Sequence, residues 1–167
     1  MEDIEQLYRL YSKQLLKYLI YISGDKYLAE ELLQETFYQA IKSIFRFNGN
    51  SKVSTWLYQI AKNVYYKYLY REKKEHLTSL EATQDLSHLS TLDEIIEWKE
   101  ANIELNKAIL KLKEPYKEII FLRSFSELSF KEIGAIFNQS EGWARTNFYR
   151  AKLKLKDFLM IKSEEVL

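Results

Sequence analysis

The chain has 167 residues, 47% of them hydrophobic and 29% charged, with a formal net charge of +1, so it holds enough apolar material for a core and no extreme charge. It has no cysteine, and its two histidines are His76 and His88, which excludes a disulfide framework or a thiolate metal site and leads us to expect neither a metal nor any other cofactor. The amino terminus, Met1-Glu2-Asp3, is acidic and no apolar run approaches the roughly 18 residues of a membrane span, so a cytoplasmic location is expected.

Four glycines and the lone Pro115 are too little punctuation for sheets, and the expected class is all-α. Leu7, Tyr11, Leu15, Tyr18 and Ile22 recur at helical spacing and predict a first helix from about Glu2 to Ile22, stopped by Gly24. Asp25 is a candidate N-cap for a second helix running to about Phe45, with Ala29, Leu33, Thr36, Phe37, Ala40 and Ile44 inward. Its other side carries Glu30, Glu31, Gln34, Glu35 and Tyr38. After the polar break Asn48-Gly49-Asn50-Ser51, a third helix is predicted over about Val53 to Lys74, with Leu57, Ile60, Ala61, Val64 and Tyr68 inward.

From His76 to Ser90 the periodicity lapses into a tether-like composition. Ile95, Trp98, Leu105, Ile109 and Leu112 resume it, and Pro115 suits the first turn of a helix ending near Phe125. Ser129-Phe130-Lys131-Glu132 reads as a capping box opening a short helix, with Ile133, Ile136 and Phe137 inward and a small Gly134. Ser140 then offers a cap to a last helix with Ala144, Phe148, Ala151 and Leu155 inward, and short helix, turn and longer helix make a helix-turn-helix. The expected architecture is two small helical domains, residues 1–75 and 95–167, joined by a flexible acidic linker over residues 76–94.

Charge follows the same division. Residues 1–75 carry 12 Lys/Arg against 9 Asp/Glu, residues 76–105 carry 1 against 7, and residues 106–167 carry 12 against 8. Two basic lobes around an acidic stretch suit two polyanion-facing domains joined by a segment that avoids or imitates nucleic acid.

Three constellations carry candidate chemistry. Ser140, Trp143, Arg145, Thr146, Tyr149, Arg150, Lys152 and Lys154 fall on the last helix or its cap, with no acid between Glu141 and Asp157, a composition suited to reading bases and holding phosphates in a major groove. Lys52, Trp56, Gln59, Lys62, Asn63 and Tyr66 interleave cations and rings on the third helix, as a single-strand platform needs, although Trp56 and the tyrosines equally suit core packing. The acidic ridge of the second helix has no histidine nearby and no second carboxylate motif, which leaves a docking face or a wet face and gives enzymatic function no foothold. Nor are the glycines spaced to cradle a nucleotide.

The run Ala29 to Phe37, followed by Ser54 to Asn63, resembles region 2 of the extracytoplasmic-function sigma factors of bacterial RNA polymerase, group 4 of the sigma-70 family. Leu112 to Pro115, Glu132-Ile133-Gly134, Glu141-Gly142 and Arg150-Ala151-Lys152 resemble region 4 of the same family. The resemblance implies a sigma factor that directs promoter-specific initiation, with Glu30, Glu31, Gln34, Glu35 and Tyr38 docking on the core polymerase beta-prime subunit. It implies that Asn48, Gly49, Asn50 and Lys52 join the third-helix residues to recognise and melt the −10 element, one base being captured by the loop. Region 4 would sit on the beta subunit and read the −35 element, the linker would thread toward the RNA-exit channel, and an anti-sigma factor would regulate the whole. Lys67 stands where the family commonly has an acid, Gly142-Trp143-Ala144 replaces Gly-Thr-Val, and Asn147 replaces a frequent basic residue. The competing expectation is a stand-alone helix-turn-helix regulator that binds duplex DNA without polymerase.

Overall fold

A computed structural model describes residues 4–76 and 103–165, with backbone only for residue 103 and residues 162–165. The predicted linker, residues 76–94, and the stripe positions Ile95 and Trp98 lie outside the described residues, apart from His76. Every described element is helical, and the chain divides into two compact units, residues 1–96 and 97–167.

The first unit is a three-helix bundle of α1 (Ile4–Ser23), α2 (Lys26–Ser43) and α3 (Val53–His76), each packed on the other two. As far as Lys17, α1 buries only Leu7 and Leu15, as a stripe, whereas Tyr18 through Ile22 are buried all round, because α2 and α3 close over this end. The Tyr18 and Tyr58 rings meet edge to face at 5.2 Å, and the Tyr65 hydroxyl donates to the Ile22 carbonyl at 2.9 Å, satisfying an acceptor at the helix end. Gly24, at φ 72, ends α1 by donating its N–H to Ile20 O, and Asp25 Oδ1 then accepts from the N–H groups of Tyr27 and Leu28 to start α2. The α-helix stops at Ser43, two residues short of the predicted Phe45. There the Ser43 hydroxyl bonds back to Gln39 O, and Ile44–Arg46 tighten into a 3₁₀ turn.

The second unit contains α4 (Ile103–Leu110), α5 (Tyr116–Ser124), α6 (Phe130–Ile136) and α7 (Glu141–Glu165). α7 packs against the other three, covering Ile109, Ile119, Ile133 and Ile136 with Ala144, Ala151 and Leu155. Pro115 caps α5 rather than occupying its first turn. Burial of Lys117 in that turn lowers its ammonium pKa, against the opposing pull of Glu114 and Glu118.

The capping box is present as read: Ser129 Oγ accepts from Glu132 N at 3.1 Å while Glu132 Oε2 accepts from Ser129 N at 2.7 Å. The chain then turns through Asn138, at φ 54, and comes back so close that a Cβ on Gly134 would lie 2.7 Å from Ser140 O and 2.8 Å from Gln139 O. A side chain at position 134 would force the two helices of the motif apart.

Candidate nucleic-acid interface

On α2, Glu30, Glu31, Gln34, Glu35 and Tyr38 are all exposed on one broad face, Glu30, Gln34 and Tyr38 in one row and Glu31 and Glu35 in the next, nearer α3. Glu35 Oε1 accepts from Gln39 Nε2 at 2.6 Å, and Lys42 Nζ lies 5.2 Å from the Tyr38 ring centre. The same line continues past the predicted residues into Ile41 and Phe45, the latter 88% exposed on the 3₁₀ turn. Phe45 escapes a periodicity reading because it lies beyond the end of the α-helix.

Between α2 and α3 the chain makes a tight exposed loop. Asn48 Oδ1 accepts from Asn50 N at 3.1 Å, an Asx turn, and Gly49 takes φ 73 with open space around it. The glycine therefore serves the backbone angle rather than a close approach. Phe47, which sequence reasoning passed over, lies with its ring 5.0 Å from that of Trp56 and so ties the start of the loop to α3. Of the α3 candidates, Lys52, Asn63 and Tyr66 are exposed, whereas Trp56, Gln59 and Lys62 are half-buried. Lys62 Nζ stands 4.0 Å from the Tyr66 ring centre, a cation and an aromatic face presented together.

Asn63 stands at the edge of this platform, and the outward positions that follow it at steps of four on α3 face α2. Asn63, Lys67 and Arg71, one turn apart, face Glu31, Glu35 and Gln39 of α2 across a cleft of about 470 Å³ floored by Leu32, Ile60 and Val64. Tyr68 lines the same cleft, and burial, followed by Glu72, Asp25 and Glu31, raises its phenol pKa.

In the second unit Ser140 caps α7, its hydroxyl accepting from Trp143 N at 3.0 Å. Trp143 is half-buried, its ring 5.2 Å from Phe137, and so it braces the turn. Asn147 is buried and donates Nδ2 to Trp143 O at 2.9 Å, so this departure from the family pattern faces the core. The exposed ridge of α7 reads Gly142, Thr146, Tyr149 and Leu153. Arg145 and Lys152 flank it on one side and Arg150 and Lys154 on the other, by the helical repeat. Arg145 Nη2 is bonded to Glu141 Oε1 at 2.7 Å. Lys152 Nζ lies 5.8 Å from the Tyr149 ring, and Lys154 Nζ 5.4 Å from that of Tyr116. A mixed ridge of small, polar and apolar residues thus runs between two cationic flanks on the second helix of a helix-turn-helix, the element that enters a DNA groove in such motifs.

Among the described residues no cluster of His, Asp and Glu is arranged to hold a metal ion, and no helix is long and apolar enough to cross a membrane.

A three-helix unit with an aromatic-basic face, and a second unit built on a helix-turn-helix, define a DNA-facing transcription protein. Comparison with known proteins narrows the class. Sigma-70 region 2 matches residues 7–75 and Sigma-70, region 4 matches residues 102–155. The chain is 32% identical to RNA polymerase sigma factor YlaC of Bacillus subtilis over 167 residues, covering 98% of this chain and 96% of that one. It is 33% identical to the extracytoplasmic-function (ECF) sigma factor SigM of the same organism, covering 92% and 93%. Its fold is similar to that of the sigma factor RpoE solved with the anti-sigma factor NepR from Bartonella quintana, at a TM-score of 0.73 and 23% identity over 96% and 99% of the two chains. It is also similar to that of CnrH solved with the cytosolic domain of CnrY, at 0.69 and 19% over 95% and 88%. The chain belongs to the extracytoplasmic-function sigma factors of RNA polymerase, the subunits that direct promoter-specific initiation.

Proposed function

We propose that Glu30, Glu31, Gln34, Glu35 and Tyr38 of α2 form the face that docks on core polymerase. The loop Asn48, Gly49, Asn50 and Lys52, with Trp56, Gln59, Lys62, Asn63 and Tyr66, opens and reads the −10 element. Ser140, Trp143, Arg145, Thr146, Tyr149, Arg150, Lys152 and Lys154 serve the −35 element, Ser140 and Trp143 by holding the start of α7 and the others by contact. Residues 1–75 and 95–167 act as the two functional domains and residues 76–94 as the tether. The chain works beside polymerase in the cytoplasm and catalyses no reaction of its own.

One observation carries this reading: the two family regions occur in order, and each presents exposed charge and rings. Melting needs bases held out of the stack; the Lys62–Tyr66 pair on α3 supplies a ring for stacking and a cation for phosphate, and the loop before α3 supplies exposed amides. The solved relatives, RpoE held by NepR and CnrH held by CnrY, support an anti-sigma factor as the regulator of this chain too. A stand-alone regulator would not need the exposed ridge of α2.

The test is run-off transcription with purified core polymerase and a promoter library, using the native chain and the double variant Glu31→Lys/Glu35→Lys. Both carboxylates are exposed, so the variant folds, while core association falls about tenfold or more and initiation falls with it. Undiminished association would take the ridge out of the interface. Tight duplex binding with no initiation by the native chain would instead select the stand-alone regulator.

A further inference from the structure

Within the second unit, α4, α5 and the later turns of α7 enclose a cavity of about 680 Å³. Ile109, Ile120 and Leu155 are buried as its floor, while Phe125 and Met160, 40% and 55% exposed, keep apolar surface in water at its edge. Along α7 its lining runs from Phe148 to Met160, about 18 Å at 1.5 Å per residue. The charge around it has one sign. Lys152 and Lys156, one turn apart and both exposed, belong to the lining, and no Asp or Glu does. Lys152 Nζ lies 5.8 Å from the Phe148 ring inside the cavity, and Lys156 makes no hydrogen bond or ion pair with described residues.

A concavity of this size is of the order of small-molecule sites, roughly 300–1,000 Å³, and its lining restricts what enters. A polyanion would leave the apolar floor unfilled, and a cationic ligand would meet two ammonium groups with no carboxylate to offset them. A bilayer surface cannot follow a floor that helices wall on three sides. A single alkyl chain with an anionic head fits all of these features: the chain covers the floor along α7, and the carboxylate or phosphate rests between Lys152 and Lys156. We propose that the α4–α5–α7 cavity binds a monomeric amphiphile with one alkyl chain and an anionic head group. Lys152 also flanks the exposed ridge of α7, so a bound head group withdraws one cation from the DNA-facing surface. That consequence rests on the −35 role given to Lys152; the site itself does not.

The experiment titrates the full chain with laurate, dodecanol and dodecyltrimethylammonium, each below the concentration at which it aggregates. Binding is followed by calorimetry and by the methyl resonances of Ile109, Ile120 and Leu159. Laurate should bind saturably, one molecule per chain, about fivefold tighter than dodecanol, the ratio that two partly exposed ion pairs give, and the cationic probe should bind more weakly than either. In Lys152→Gln/Lys156→Gln, laurate should fall to the affinity of dodecanol while dodecanol is unaffected. Ser124→Trp fills the cavity from an exposed lining position, leaving the buried core untouched, and should abolish binding of both. Saturating laurate should lower affinity for duplex DNA about twofold at low salt in the native chain and leave it unchanged in the Gln variant. Equal binding of the three probes, no saturable binding, or laurate binding that survives Ser124→Trp overturns the proposal. So does uptake of phosphatidylglycerol vesicles without monomeric laurate, or a dimer that Ser124→Trp separates, which would make the face a seat for a bilayer or a second copy. If laurate binds as expected while duplex affinity stays the same, the DNA role of Lys152 fails and the site stands.

Discussion

Gly134 and Gly142 belong to one helix-turn-helix yet work under opposite constraints. At Gly134 a Cβ would press on the backbone carbonyls of Ser140 and Gln139, which cannot move without shifting the turn. Around Gly142 the nearest atom to a Cβ is Ser140 Oγ at 3.9 Å, so only helix propensity is at stake. Gly134→Ala should destabilise the second unit by about 1–3 kcal/mol, as overpacking does, whereas Gly142→Ala should stabilise it by up to ~1 kcal/mol. Hydrogen-exchange protection of the α6 and α7 amides reads the unit directly, whatever the first unit does. Equal protection in the two variants would mean that the turn yields at little cost. A sequence reading notices that Gly134 is small and inward, but the distance that makes it obligatory arises only when the turn brings Ser140 back across α6.

At the scale of the element, signals contained within a few residues were legible and those made by neighbours were not. The Ser129–Glu132 box and the Asp25 cap consist of side chains bonding to backbone two or three residues away, and the Gly24 stop is a glycine at positive φ, so their residue types announce them. Burial of α1 all round from Tyr18 to Ile22 depends on α2 and α3 closing over it, and no period within α1 signals that. The α2–α3 cleft is not legible in the sequence for the same reason, since Lys67 and Arg71 oppose Glu31 and Glu35 only once α2 and α3 are paired. The recognition helix shows both cases. Its basic run is plain in the sequence, while the bond from Arg145 to Glu141 and the inward turn of Asn147 are not. If Arg145, near the start of α7, exchanges Glu141 for a base edge as proposed, Arg145→Ala should cost roughly 1–3 kcal/mol at one −35 position. Lys154, a flanking cation farther along, should when changed to Ala weaken all sequences about equally. Binding to a panel of single-base −35 variants separates the two, and uniform losses from both would make Arg145 a phosphate contact.

For the molecule as a whole, charge is organised along the chain: the net of +1 combines two basic lobes with an acidic stretch, residues 76–105, that carries seven Asp/Glu and one Lys. The number of domains was legible because composition and charge change together there, whereas the grooves within each unit were not, because they depend on which helices pair. The basic faces would attract duplex DNA without regard to sequence. Arg150, Lys152 and Lys154 are exposed on α7, and phosphate neutralisation by such groups supplies most non-specific affinity. An acidic stretch joined in sequence to both lobes is expected to oppose that attraction where it comes within a Debye length of it, about 8 Å at physiological salt and farther at lower salt. Replacing the seven acids of residues 76–105 by Asn and Gln should therefore raise the affinity of the free chain for non-promoter duplex, by about threefold or more at low salt, and the gain should disappear at high salt. Specific initiation should suffer in parallel, because more of the chain sits on competing duplex. Anisotropy titrations against random duplex, run across a salt series, measure the first effect, and run-off transcription with excess competitor DNA measures the second. An affinity for random duplex that is the same with and without the acids, at every salt, would mean that the stretch exerts no field on the DNA-facing surfaces and that its charge serves some other contact.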